Sequence, residues 1–147
     1  MPIKPNKIKA AIIEEFRPRF APRAKLIYLS DTAKKTPMLD KEAFTKLSIS
    51  VLKHGKFPDM VLYDSKKKWL FLIEAVTTQD FISPKRRSEL EKLFDKSKVG
   101  KVYITAFWDF ATYTKHVDKI AWETEVWIAE MPSHMIHFNG DKFLGPR

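Results

Sequence analysis

The apolar positions of this chain fall into two periods, one near four residues and one near two, and the switches between them mark out elements. Ile8, Ala11, Ile12 and Phe16 recur at helical spacing, which predicts a helix over residues 6–16. Pro18 and Pro22 are expected to end it, because proline has no amide to continue the ladder. Residues 25–29 (KLIYL) read as a short strand, and residues 31–37 as a polar, lysine-bearing loop. Asp40 stands where it would cap a second helix, running to about residue 53 and ending near Gly55. Residues 57–64 (FPDMVLYD) and 69–76 (WLFLIEAV) are apolar runs of strand length. Only Ser65, Lys66, Lys67 and Lys68 join them, and so short a polar link predicts an antiparallel hairpin. Ser83-Pro84 opens a helix whose apolar stripe is Leu90, Leu93 and Phe94. Residues 101–107 (KVYITAF) read as a strand and residues 112–122 as a helix. Residues 125–143 read as strands closing on Asn139-Gly140, a pair favoured in type I′ turns. Trp122 and Trp127 are expected as core anchors beside the sheet. The order predicts an α/β fold with a mixed central sheet flanked by helices.

One residue does not fit that pattern. Glu74 sits inside WLFLIEAV, a strand apolar enough to be buried on both faces, where an ionised carboxylate is costly unless something pairs with it. A salt bridge to a lysine or arginine would satisfy it, as would a place at the strand end facing solvent. Asp59 adds a third possibility. It follows Pro58 at the start of the preceding strand, so a hairpin would bring both carboxylates to one edge of the sheet. Two carboxylates converging there repel unless a cation lies between them. Mg²⁺ suits such a pair, since it takes hard oxygen ligands, keeps several waters and accepts a phosphate oxygen. The backbone carbonyl of Ala75 could supply a further oxygen. That chemistry is the chemistry of phosphodiester hydrolysis.

Charge points the same way. The 147 residues hold 27 Lys and Arg against 18 Asp and Glu, a formal net charge of +9. Such an excess suits a polyanionic partner, because phosphate neutralisation releases counterions, although it serves equally as a solubility surface. There is no cysteine, so disulfides and thiolate metal sites are excluded. No apolar run approaches the roughly 20 residues needed to span a bilayer. The basic amino terminus lacks an apolar h-region and a small-residue cleavage site, and a cytoplasmic protein without membrane contact is expected.

FPD followed by WLFLIEAV resembles the PD-(D/E)XK nuclease signature, a proline-aspartate and then an acidic residue on the next strand. The segments FPDMVLYD, WLFLIEAVTT, ISPKRRSELEKLF, VYITAF and IAWETEVWIAEMPSHMIHFNGDKFLGP together resemble the catalytic half of the BsuBI/PstI family of restriction endonucleases, over residues 25–146 or so. The resemblance implies a restriction-endonuclease-like fold over one domain, residues 1–147. It also implies Mg²⁺-dependent type II cleavage of double-stranded DNA at a short palindrome, with CTGCAG as the suggested site. Members of that family carry an additional amino-terminal region that helps read the sequence, and this chain is expected to lack it. Cutting a palindrome calls for two copies of the site, so a homodimer is expected.

One position departs from the general signature. A lysine stands two residues after the acidic residue there, and here Val76 occupies that place. The resemblance implies that E-A-V is usual within the family, so the cation would come from elsewhere. Lys85 is the first candidate, since SPKR matches the family, and Lys34 and Lys35 are the alternatives. Lys34, Lys35, Arg86 and Arg87 are candidate DNA contacts. Cations at a helix start are disfavoured by the dipole unless an anion such as a phosphate is near. Lys66, Lys67 and Lys68 fit a solvated turn. Glu14, Glu15 and Glu42 are further acids, each equally at home on a helix surface. His134 and His137, three apart in an extended segment, would point to opposite faces and read as structural. Three other readings remain: a catalytically silent DNA-binding module, a repair or junction-resolving nuclease of the same fold, and a domain that binds no nucleic acid.

Overall fold

The computed structural model describes residues 5–30, 37–50, 56–77, 81–140 and 146. Its centre is a seven-stranded sheet: β1 (Lys25–Leu29), β2 (Met38–Leu39), β3 (Met60–Asp64), β4 (Trp69–Ala75), β5 (Gly100–Phe107), β6 (Thr124–Ile128) and β7 (Met135–Phe138). The spatial order is β2-β1-β3-β4-β5-β6-β7. β4, β5 and β6 run parallel at its heart, and the flanking pairs are antiparallel. The mixed sheet flanked by helices is the expected architecture.

Strands β3 and β4 form the expected hairpin, in register from Met60↔Ile73 to Asp64↔Trp69. Asp64, itself buried, accepts the amides of Lys66 and Lys67 through Oδ1, both at 3.0 Å, and this closes the lysine turn. Strand β4 is buried on both faces from Leu70 to Ala75, as its near-continuous apolar sequence requires of a strand in the parallel heart of a sheet. Alternation then divides its side chains. Phe71, Ile73 and Ala75 join Met60, Leu62, Ile104 and Trp127 in a core beneath Ile8, Ile12 and Phe16 of the first helical segment. Leu70 and Leu72 join Val61, Tyr103, Leu90 and Phe94 on the other face.

Several expectations about elements are corrected. Pro18 does not end the first helix: α1 (Pro5–Ala11) passes through a π turn (Ile12–Phe16) into α2 (Arg17–Phe20). Arg17 bonds back to the carbonyl of Ile12, one residue farther than an α-helix would. The widened turn shifts the ladder just before Pro18, and the chain continues past it in helical form. Asp40 does cap α3 (Lys41–Lys46), accepting the Ala43 amide at 3.1 Å. That helix stops early, because Ser48 adopts a left-handed φ of 58°; residues 51–55 lie outside the described residues. β6 and β7 are joined through residues 129–134; Asn139-Gly140 follows β7, and residues 141–145, where a strand closing on that pair would lie, are outside the described residues. The helix expected over residues 112–122 is α5 (Phe110–His116) with a 3₁₀ turn (Val117–Lys119). Trp127 is fully buried as a core anchor, but Trp122 is 67 % exposed, its ring leaning on Phe138 instead of on the core.

Candidate active site

Glu74 and Asp59 meet where the hairpin register puts them. The pair Met60↔Ile73 ends the ladder between β3 and β4, so the next residue out on each strand is Asp59 on one side and Glu74 on the other. The contacts are reciprocal. Glu74 Oε1 accepts the backbone amide of Asp59 at 3.0 Å, and Asp59 Oδ2 accepts the backbone amide of Ala75 at 2.8 Å. Each carboxylate is thereby held by the other strand's backbone, and neither can rotate away without leaving an amide unsatisfied.

Glu74 is almost fully buried, at 2 % exposure. Burial pushes its carboxyl above the ordinary range; Arg86 opposes that shift and the nearby Asp59 charge adds to it. The arginine comes from α4 (Pro84–Leu93), whose N-cap Ser83 accepts the Arg86 amide at 3.2 Å. Arg86 Nε donates to Glu74 Oε2 at 2.5 Å, and Nη2 donates to the Lys56 carbonyl at 2.8 Å. The salt bridge and the carboxylate pair, alternatives in the sequence, are both present. Beside them lies a cavity of about 240 Å³ lined by Lys56, Glu74, Phe81, Ser83, Lys85, Arg86 and Glu89.

Of the sequence candidates, Lys85 is exposed on the wall of that cavity. Arg86, expected to face DNA phosphate, directs its guanidinium at Glu74. Arg87 turns away from the pair, bonded to Glu91 and stacked over Tyr103 at 5.2 Å. Ala75 is buried, and its amide is the group engaged with Asp59. Lys34 and Lys35 lie outside the described residues. Val76 is buried with Phe107 and Tyr113 in an apolar cluster, so β4 supplies no cation. Glu15 pairs with Arg19 and Glu42 with Lys46, both on exposed helix surfaces. His137 bonds to Glu125 and His134 to Ser133, so the two histidines have separate partners.

A polar chain that little in the local sequence pattern announces lies on the other side of Asp59. Ser30, at the end of β1, donates its amide to the Asp59 carbonyl at 2.9 Å and its hydroxyl to Oδ1 at 3.4 Å. Lys9 of α1 then donates its ammonium to the Ser30 carbonyl at 2.7 Å and to the Ser30 hydroxyl at 3.0 Å. The one available signal was Lys9's place beside Ile8 and three residues before Ile12, at the margin of the apolar stripe.

Residues 2–141 match the family described as the BsuBI/PstI restriction endonuclease domain. The chain belongs to that family. It is 48 % identical over 141 residues to the type II restriction enzyme BsuBI of Bacillus subtilis, covering 96 % of this chain and 45 % of that enzyme. The type II restriction enzyme AplI of Arthrospira platensis is 39 % identical over 127 residues, covering 82 % of this chain and 39 % of the relative. Among solved structures, the SdaI restriction endonuclease superposes with a TM-score of 0.88 at 40 % identity, covering 99 % of this chain and 46 % of the other. The chain thus spans less than half the length of these relatives. Its fold is that of a restriction endonuclease.

Proposed function

We propose that this chain is the nuclease domain of a site-specific deoxyribonuclease, hydrolysing phosphodiester bonds of double-stranded DNA at a cation site made by Asp59 and Glu74. The observation that carries the reading is the reciprocal clasp of these two carboxylates across the hairpin edge. Membership of a restriction endonuclease domain family supports it.

The donor set fits Mg²⁺. Asp59 and Glu74 offer hard carboxylate oxygens, and the nearby Asp59 charge disfavours ionisation of Glu74 until a cation is shared. Among the described residues, no cluster of three or more His, Asp or Glu is placed to hold a metal. The remaining ligands would therefore be the Ala75 carbonyl, solvent and substrate, as Mg²⁺ commonly accepts. When bound, Mg²⁺ would supply positive charge at the scissile phosphate and make water a stronger nucleophile near neutral pH.

The chain's own groups do the rest. Arg86 fixes the second oxygen of Glu74, so the first is oriented before substrate arrives. Lys85, on the cavity wall, stands in for the lysine that Val76 replaces, stabilising the negative charge that develops on the phosphate. Arg87, Lys34 and Lys35 add phosphate contacts, favoured by the +9 net charge. Two copies would act together on a palindrome, CTGCAG being the site the sequence resemblance suggests, in the cytoplasm where the DNA is. Among the described residues, no helix is long and apolar enough to cross a membrane.

The test separates cutting from binding. Asp59→Ala and Glu74→Ala should each lower cleavage of duplex DNA by at least about 100-fold, while gel-shift affinity in Ca²⁺ stays within several-fold of wild type. Either variant cutting at the wild-type rate would show the site to be misassigned. The buried Val76 favours one second reading, a domain that binds DNA but does not cut it. It predicts salt-sensitive binding with no metal-dependent strand breaks.

A further inference from the structure

We propose that Lys9 is a positioning residue of the nuclease site, acting through Ser30 on Asp59. The inference rests on the nuclease reading above. It starts from a cost: Lys9 is 5 % exposed, between Ile8 at 0 % and Ile12 at 1 %. An ammonium buried there is expensive unless its charge is used. Among the described residues it forms no ion pair, and the partners it has are the two oxygens of Ser30.

Ser30 connects that charge to the site. Its carbonyl and hydroxyl take the ammonium, while its amide and hydroxyl proton go to Asp59. With both its oxygens occupied by Lys9, the serine hydroxyl has its proton left for Asp59 Oδ1. Lys9 thus fixes the direction in which Ser30 donates. It also adds positive charge on the side of Asp59 away from Arg86. The arrangement has the logic of an outer partner that orients a ligand. It also answers Val76. β4 offers no cation, and the first helix places one behind the other carboxylate.

The experiment uses the 147-residue chain, with Mn²⁺ as the probe. Mn²⁺ affinity without DNA, read by electron paramagnetic resonance, is measured beside plasmid cleavage for wild type, Lys9→Met, Lys9→Arg, Ser30→Ala and the Lys9→Met/Ser30→Ala double variant. Methionine fills the core volume without the charge. Loss of Mn²⁺ affinity and of cleavage by about 10- to 100-fold in Lys9→Met, with partial recovery in Lys9→Arg, is the expected result. Ser30→Ala should lose comparably, and the double variant should be no worse than the worse single variant, since both act on one chain of contacts. Far-UV circular dichroism should be unchanged. Wild-type Mn²⁺ affinity and cleavage in Lys9→Met would overturn the proposal, as would losses that multiply in the double variant. Should Lys9→Met not fold, Ser30→Ala with wild-type affinity and cleavage would overturn it equally. Failure of the underlying nuclease reading looks different: the wild-type chain itself would neither cut nor bind Mn²⁺ in a way that Asp59→Ala abolishes.

Discussion

At the scale of single residues, the candidate site is two acids that the fold forces together and then restrains. Asp59 and Glu74 exchange hydrogen bonds with each other's strands, and Arg86 neutralises the more buried of the two. The balance has a consequence for stability. Burial raises the Glu74 carboxyl above its ordinary range, so above the unfolded value the folded chain still holds a proton that the unfolded chain has released. The stability tied to this proton is complete below the unfolded pKa and is lost as pH rises through the folded one. In metal-free buffer, wild type should therefore lose urea stability relative to Glu74→Gln as pH is raised from about 4 toward neutrality. Parallel pH profiles for the two proteins would show that Arg86 fully offsets the burial. The acids were legible in the sequence because a charge inside an apolar strand is conspicuous. Arg86 was visible as a cation but not as the partner of Glu74, and the Ser30–Lys9 chain showed only in Lys9's place at the margin of the apolar stripe. Those contacts join segments far apart in sequence, and no local period marks them.

At the scale of elements, short links carried the most information. The lysine turn fixed the hairpin, and with it the register that sets Asp59 beside Glu74. Caps were equally readable: Asp40 and Ser83 both accept the amide three residues on. What could not be read were the places where tertiary packing overrides a local rule. The first helical segment crosses Pro18 because Phe16 and Phe20, on either side of it, are held together against the sheet, ring centroids 5.4 Å apart. β6 and β7 are joined by a loop at residues 129–134 with no short-turn signal, where Trp127 Nε1 donates to the Pro132 carbonyl at 3.0 Å. The cap of α4 has a role beyond the helix, since it holds the amide of the residue whose side chain grips Glu74. Ser83→Ala should cost about 1 kcal/mol of folding stability, read as a lowered urea midpoint. An unchanged midpoint would mean that α4 is held by Leu90 and Phe94 alone.

At the scale of the whole molecule, the fold is a mixed sheet covered by helices, with the acids at one edge of its central hairpin. This chain is a member of the BsuBI/PstI restriction endonuclease domain family and spans under half of its longer relatives. Its net charge of +9 gives it the electrostatics to approach DNA. Under the proposed function, the pair at Asp59 and Glu74 would turn approach into cleavage. The most direct measurement is the fate of supercoiled plasmid incubated with the chain in Mg²⁺, in Mn²⁺ and in EDTA, beside Asp59→Ala. Nicked and linear DNA are expected in either metal, none in EDTA and none with the variant. Plasmid left intact in both metals, or cut equally by Asp59→Ala, would contradict the proposed function.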